Sequence, residues 1–210
     1  MYLSRGAPFV AILSGVSRRV LSSCADASAI VLTRVLEAKT HFERLEIPVS
    51  FDVELSQLDA TFKRLQRAVH PDFFGAAPES LQESAARASS AINIAYKTIR
   101  EPAARAAYLL VLAGVESTGE TAGTGGASPA LLAQVMSARE MIADETTPAA
   151  ELAALASKGR TAVLACEADL SDAFRARDLQ KARDVTVALS YYERIVQEAD
   201  AAIEERARSE

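Results

Sequence analysis

Apolar side chains recur at steps of three and four residues along much of the chain, a spacing that places them on one face of a helix. One such stripe, between Asp52 and Val69, consists of Leu55, Leu58, Phe62, Leu65 and Val69. A second stripe, between Pro78 and Arg100, consists of Leu81, Ala85, Ala88, Ile92, Ala95 and Ile99. Only a short polar connection separates the two segments, so the pattern predicts two helices packed as an antiparallel hairpin.

A short helix and a linker are predicted after the hairpin. Pro102 is suited to a first helical turn, and Gly114 is placed to end the helix in a left-handed conformation. Residues 117–128 have no apolar period and are rich in glycine, which predicts a flexible linker. A phosphate-binding loop is the weaker alternative, because the segment lacks the lysine of a P-loop and follows no strand.

Three helices are predicted in the last third of the chain. Ser128 and Thr147 are each followed by proline, the pattern of an N-cap and a first helical residue. A third helix is predicted from about Asp178, with the apolar stripe Leu179, Ala182, Val185, Leu189, Tyr192, Val196, Ala199 and Ile203. The whole pattern predicts an all-α protein, in which an N-terminal helical hairpin is followed by a C-terminal three-helix bundle over residues 129–207.

Composition narrows the possible functions. The 210 residues carry a formal net charge of −5, so no global basic field favours nucleic acid as a partner. The two cysteines are far apart and only two histidines are present, so we expect no bound metal and no cofactor. No paired nucleophile and base is evident, and no apolar run is long enough to span a bilayer. We therefore expect neither an enzyme nor a membrane partner.

The N-terminus has the composition of an organellar transit peptide. It contains Arg5, Arg18 and Arg19 and no acidic residue before Asp26. We expect residues 1–40 to be a transit peptide and flexible N-terminus, with import into the mitochondrial matrix. A secretory signal and an untargeted N-terminus are the alternatives. If the N-terminus is not a transit peptide, the protein would lie in another organelle or in the cytoplasm.

The connection within the hairpin contains His70, Pro71 and Asp72. Pro71 fixes its own φ and disfavours helix at His70, so the first helix should end there and the turn should be stiff. Asp72 then offers a carboxylate to a partner, for which arginine is the strongest mate. Three basic side chains lie off the apolar stripe of the preceding helix: Lys63, Arg64 and Arg67. Taken alone, these features also fit an ordinary turn and a solvated helix face.

Residues 62–72, FKRLQRAVHPD, resemble the J-domain family. The resemblance implies a J-domain over residues 41–116 that docks on a DnaK-class chaperone ATPase and stimulates its ATP hydrolysis. The docking residues would be His70, Pro71, Asp72, Lys63, Arg64 and Arg67. The chain would hydrolyse no ATP itself.

The likeness narrows to the HscB family of iron-sulfur co-chaperones. Residues 41–45 (HFERL), 90–96 (SAINIAY) and 103–110 (AARAAYLL) are similar to that family, and a helical domain follows the J-domain without cysteine-rich repeats. The resemblance implies that the C-terminal bundle holds the scaffold protein on which iron-sulfur clusters are assembled, and delivers it to the chaperone. A J-protein with another client and a small helical enzyme are the alternatives.

The resemblance also implies an apolar scaffold-binding patch with an acidic border. On the first bundle helix the stripe to be buried is Leu131, Val135, Ala138 and Ile142. Leu132 and Met136 then form an adjoining strip, with Glu140 one turn further on. The family likeness assigns scaffold binding to these three residues and to Tyr191. The alternative is that Leu132, Met136 and Tyr191 only widen the core.

Overall fold

The computed structural model describes residues 23–115 and 127–209. Within these two ranges the chain is helical and has no strand, so the predicted all-α fold is confirmed. The helices are α1 (Ser23–Glu37), α2 (His41–Arg44), α3 (Leu55–Ala68), α4 (Glu79–Arg100), α5 (Pro102–Leu112), α6 (Pro129–Ala143), α7 (Ala149–Ala176) and α8 (Leu179–Ser209). A 3₁₀ helix at Pro71–Phe74 joins α3 to α4.

Helices α3 and α4 form the predicted antiparallel hairpin. Near the end of α3, the side-chain amide of Gln66 donates to Asn93 at 2.7 Å, whereas nearer its start Asp59 accepts from the hydroxyl of Tyr96 at 2.7 Å. Residues nearer the C-terminus of α3 therefore lie opposite residues nearer the N-terminus of α4, so the two helices are antiparallel. Between these contacts the rings of Phe62 and Tyr96 stack with centroids 4.0 Å apart. The hairpin is thus closed by apolar and polar contacts together.

The beginning of α3 differs from the sequence prediction. The helix starts at Leu55 rather than near Asp52, because the side chain of Glu54 accepts from the backbone N–H of Ser56 and caps it. Leu55 lies in the first turn and is exposed, so it does not belong to the buried stripe. The remaining four positions of that stripe pack into the core as predicted, with Phe62 only partly buried.

Helix α1 is an integral part of the N-terminal domain. Leu32 and Val35, one turn apart, are buried in the same core cluster as the hairpin stripes, and α1 contacts both α3 and α4. The prediction of a flexible N-terminus up to residue 40 is therefore wrong for this helix. Residues 1–22, which hold most of the predicted transit peptide, lie outside the described residues.

Two of the segments that carried the family likeness meet in space. Residues 41–44 form α2, and the backbone N–H of His41 donates to the hydroxyl of Tyr108 on α5 at 2.9 Å. The rings of these two residues stack with centroids 4.4 Å apart, and Phe42 is fully buried beside them. Gly114 follows α5 with φ +78°, which confirms its predicted left-handed role. Residues 116–126, most of the predicted linker, are not among the described residues.

The C-terminal domain is the predicted three-helix bundle. Helices α7 and α8 are antiparallel, since Lys181 pairs with Asp169 at 2.7 Å and Arg160 pairs with Asp200 at 2.7 Å. At Gly159 these two helices approach so closely that an added Cβ would lie 2.6 Å from a methyl carbon of Val196. Helix α6 packs mainly on α8.

The two predicted N-caps of the bundle have different outcomes. Ser128 caps α6, because its side chain accepts from the backbone N–H of Leu131 at 3.2 Å. Thr147 does not cap α7: its hydroxyl donates instead to the carbonyl of Met141 at 2.9 Å, and Pro148 stands at the N-cap position without a side-chain bond. The Thr147 hydroxyl satisfies a backbone carbonyl in the last turn of α6, so this side chain closes the turn between α6 and α7.

The two domains are joined by a mixed aromatic and charged contact. The rings of Phe51 and Phe174 stack with centroids 5.6 Å apart, and the guanidinium of Arg105 lies 4.8 Å from the Phe51 ring centre. Asp52 accepts from Ser171 at 2.9 Å and from Arg175 at 3.1 Å on α7. The Phe51–Phe174 stacking and the hydrogen bonds of Asp52 hold α7 of the C-terminal domain against the segment before α3, while Arg105 supports the Phe51 ring from within the N-terminal domain.

Candidate functional site

The hairpin tip, residues 70–75, presents Asp72 to solvent. His70 caps the 3₁₀ helix, and its Nδ1 accepts from the backbone N–H of Asp72 at 3.3 Å. The side chain of Asp72 is 88% exposed, whereas that of His70 is 54% exposed. The cap therefore fixes the backbone at Asp72 and leaves its carboxylate open to a partner.

His70 and Asp72 also approach each other through their side chains. Nδ1 of His70 lies 3.5 Å from Oδ2 of Asp72. The imidazole and the carboxylate are therefore neighbours at the tip, and the carboxylate is the more exposed of the two side chains.

The backbone after Asp72 is anchored to the rest of the domain. Phe74 is 5% exposed and belongs to the core cluster. The side-chain amide of Gln82 on α4 donates to the carbonyls of Gly75 at 3.3 Å and Ala77 at 2.9 Å. The tip is therefore a rigid turn, as the proline predicted, and it is held from both ends.

The basic face consists of Lys63, Arg64 and Arg67, all of which are exposed on α3. Arg64 pairs with Glu46, a residue that sequence reasoning missed. Within the two described ranges, Lys63 and Arg67 have no ion pair, so they are free to meet an acidic surface. No local signal identified Glu46, because it lies beyond the end of α2 and 18 residues from Arg64 in sequence.

The predicted scaffold patch, consisting of Leu132, Met136, Glu140 and Tyr191, is partly open. Met136 is 63% exposed, Glu140 is exposed and Leu132 is half-buried. The stripe beside them is buried at Leu131, Val135 and Ala138 and half-buried at Ile142. On the adjoining strip of α6, Met136 and Glu140 therefore face solvent and Leu132 is partly covered, so Met136 does not widen the core.

Tyr191 lies at the edge of the same region. It is half-buried and packs on the cluster formed by Leu131, Val135, Ala138 and Ile195. Ile195 is a buried member that the sequence stripe of α8 omitted, because α6 and α7 pack on different sides of α8 and together bury more than one stripe. Tyr191 thus combines a packing role with an accessible edge.

The patch is framed by polar contacts between α6 and α8. Arg139 pairs with Glu198 at 3.3 Å, and the hydroxyl of Tyr192 donates to Gln134 at 3.2 Å. Arg206 donates to the carbonyls of Asp144 at 2.9 Å and Ile142 at 3.3 Å, which satisfies the end of α6. These contacts hold α6, and with it the exposed strip, in a fixed register on α8.

Two cavities, of about 450 and about 500 Å³, lie at the junction between the domains. Phe51, Asp52 and Ser171 line both of them, and neither contains a residue of the hairpin tip. In the described part of the chain, no group of three or more acidic, histidine or cysteine side chains is placed to hold a metal ion. No described helix has the length and apolar character needed to cross a membrane.

Comparison with known proteins decides the family. A co-chaperone protein HscB homolog of Burkholderia multivorans is 34% identical over 176 residues, which cover 79% of this chain and 94% of the relative. The chain belongs to the HscB family. Residues 127–200 of this HscB-family chain also match the family described as the HSCB C-terminal oligomerisation domain. The sequence-based assignment to the HscB family is therefore confirmed.

Solved HscB structures share the fold. Human co-chaperone protein HscB superposes with a TM-score of 0.72 at 25% identity, over 79% of this chain and 82% of the human chain. Chaperone HscB from Vibrio cholerae superposes with a TM-score of 0.70 at 27% identity, over 80% of this chain and 99% of that one. These relatives are named as chaperones and co-chaperones, not as enzymes.

Proposed function

We propose that this protein docks on a DnaK-class chaperone ATPase, stimulates its ATP hydrolysis and delivers to it the scaffold protein on which iron-sulfur clusters are built. It would support cluster biogenesis and transfer without catalysis of its own. The observation that carries the proposal is the carboxylate of Asp72, which is 88% exposed on a rigid tip. An arginine on the chaperone could pair with it through a charge-assisted hydrogen bond.

The basic face supports the same docking mode. Lys63 and Arg67 are exposed on the helix that leads into the tip, so they extend the contact along α3. Exposed cations chiefly raise the rate of encounter with an acidic surface and align the partners. Asp72 would then supply the short-range contact that couples docking to ATP hydrolysis.

The open patch on α6 supports scaffold binding by the other domain. Met136 is flexible and polarizable and is exposed beside half-buried Leu132, a combination common at protein-binding surfaces. Glu140 lies one turn further along α6 and could orient a basic group on the scaffold. Because the tip and the patch belong to different domains, one molecule could hold both partners at once.

We also propose that the protein acts in the mitochondrial matrix. The arginine-containing N-terminus without acidic residues before Asp26 supports this. Residues 1–27 fused to a fluorescent reporter should direct it to mitochondria. A reporter that stays in the cytosol would contradict the proposed location.

The test of the main proposal is steady-state ATP hydrolysis by a DnaK-class chaperone, measured with this protein and with or without the iron-sulfur scaffold. We expect stimulation that rises further with scaffold and that Asp72→Asn abolishes. Asp184→Asn is the matched control, because Asp184 is exposed on α8 of the other domain. Full stimulation by Asp72→Asn would refute docking through the tip. Asp72-dependent stimulation that is the same with and without the scaffold would instead indicate a J-protein with another client.

A further inference from the structure

Two adjacent phenylalanines of the hairpin tip have opposite environments. Phe74 is buried in the domain core, whereas Phe73 is 70% exposed, more than any other large apolar side chain of the described residues. Core packing accounts for an apolar side chain at position 74. The exposed ring of Phe73 has no comparable packing role among the described residues.

The exposure of Phe73 is imposed by an ordered backbone. Its N–H donates to the carbonyl of His70 at 3.0 Å and closes the 3₁₀ turn. The next residue, Phe74, is fixed in the core, and Gln82 holds the carbonyls of Gly75 and Ala77 just beyond. These contacts hold the backbone on both sides of Phe73 while its ring lies in solvent. A binding partner would meet it in this position at little cost in backbone entropy.

We propose that Phe73 is an apolar anchor for the partner that Asp72 contacts, the chaperone ATPase of the proposed function, on which this inference rests. Consecutive Cα atoms are about 3.8 Å apart, so a partner that reaches the Asp72 carboxylate passes close to Phe73 and can extend to its exposed ring. The partner would therefore offer an arginine beside an apolar recess. The carboxylate supplies specificity, and the ring supplies the apolar burial that exposed charges lack.

In this proposal Phe73 contributes affinity for the chaperone, whereas Asp72 stimulates its ATP hydrolysis, so the two effects can be measured separately. Aromatic side chains buried at interface centres often contribute strongly to binding. Phe73→Ala should raise the concentration for half-maximal ATPase stimulation about tenfold, the loss expected when most of an aromatic contact is removed. Maximal stimulation should stay at the wild-type level, because Asp72 and its His70 cap are unchanged. Phe73→Leu, which keeps an apolar side chain, should recover most of the affinity.

The experiment is an ATPase titration of the DnaK-class chaperone with wild type, Phe73→Ala, Phe73→Leu, Asp72→Asn and Leu164→Ala. Leu164 is the matched control, because it is 66% exposed but lies on α7. Thermal unfolding of each variant verifies the fold, which an exposed ring should scarcely affect.

The outcomes distinguish the inference from the proposed function. The anchor is supported if Phe73→Ala raises the concentration for half-maximal ATPase stimulation and Leu164→Ala leaves it unchanged. Wild-type titration by Phe73→Ala, while Asp72→Asn is inactive, overturns the anchor and leaves the docking proposal standing. Full activity of both variants refutes the docking proposal itself.

Discussion

The carboxylate of Glu46 pairs with the guanidinium of Arg64, so one of the three side chains of the basic face is already engaged within the chain. Arg34 of α1 pairs with the same carboxylate. Glu46 itself has φ +57°, a left-handed conformation that directs the chain away from the end of α2. This three-residue bridge connects the N-terminal helix to the helix that carries the proposed docking residues.

Release of Arg64 should strengthen chaperone docking. Glu46→Gln removes the negative charge that Arg34 and Arg64 share, and so leaves Arg64 free to act with Lys63 and Arg67. The concentration for half-maximal ATPase stimulation should fall about two- to threefold at low salt and little at high salt, where exposed charges are screened. Glu83→Gln makes the same charge change at an exposed site on α4 and should have no such effect. Equal shifts for both variants would attribute the gain to net charge rather than to Arg64.

Helix α1 should contribute measurably to stability. Leu32→Ala should lower the free energy of unfolding by about 2–5 kcal/mol, since the side chain is buried in the core cluster. Ile30→Ala, at a site on the same helix that is 67% exposed, should change it by less than about 0.5 kcal/mol. Urea unfolding of the two variants measures the difference. Similar values for both would show that α1 does not pack on the hairpin in solution.

The scaffold patch predicts a separation of binding from stability on one helix. Met136→Ala should weaken scaffold binding more than about fivefold while the free energy of unfolding stays within about 0.5 kcal/mol of wild type. Val135→Ala, at the buried neighbouring position, should cost about 1–3 kcal/mol of stability. Calorimetric titration and urea unfolding provide the two readouts. Unchanged scaffold affinity of folded Met136→Ala would place the binding face elsewhere.

Glu193 should make stability depend on pH. Burial, together with the nearby charges of Glu101 and Glu167, raises the pKa of Glu193 above its ordinary value of 4.5, although a hydrogen bond from the backbone of Ala103 opposes the shift. The folded state therefore binds this proton more tightly than the unfolded state. The resulting stabilisation is present below pH 4.5 and is lost as pH rises through the folded pKa.

The variant Glu193→Gln tests this linkage. It keeps an acceptor for the Ala103 N–H and removes the charge, so its melting temperature relative to that of the wild type should rise between pH 4.5 and pH 7. Thermal unfolding at both pH values measures the difference. Parallel pH dependence of the two proteins would show that Glu193 does not titrate differently on folding.

Local sequence signals were sufficient for most of the fold. The stripes on α3, α4 and α8 predicted the hairpin and the last bundle helix because helical periodicity depends only on residues three and four apart. Ser128 and Gly114 were recognised because a cap or a left-handed end acts within one turn. Thr147 was misassigned for a related reason: a helix end on either side could use its hydroxyl, and only the packed turn selected Met141.

The sequence by itself determined the family, the all-α class and the His-Pro-Asp tip, since each is encoded in a contiguous or periodic pattern. Only the tertiary structure decided that Phe73 is exposed while Phe74 is buried, that α1 packs on the hairpin, and that Glu46 engages Arg64. These features depend on which segments, distant in sequence, pack against each other in the folded chain. Periodicity shows which face of a helix is apolar, but the partner of that face is selected by packing of the whole chain.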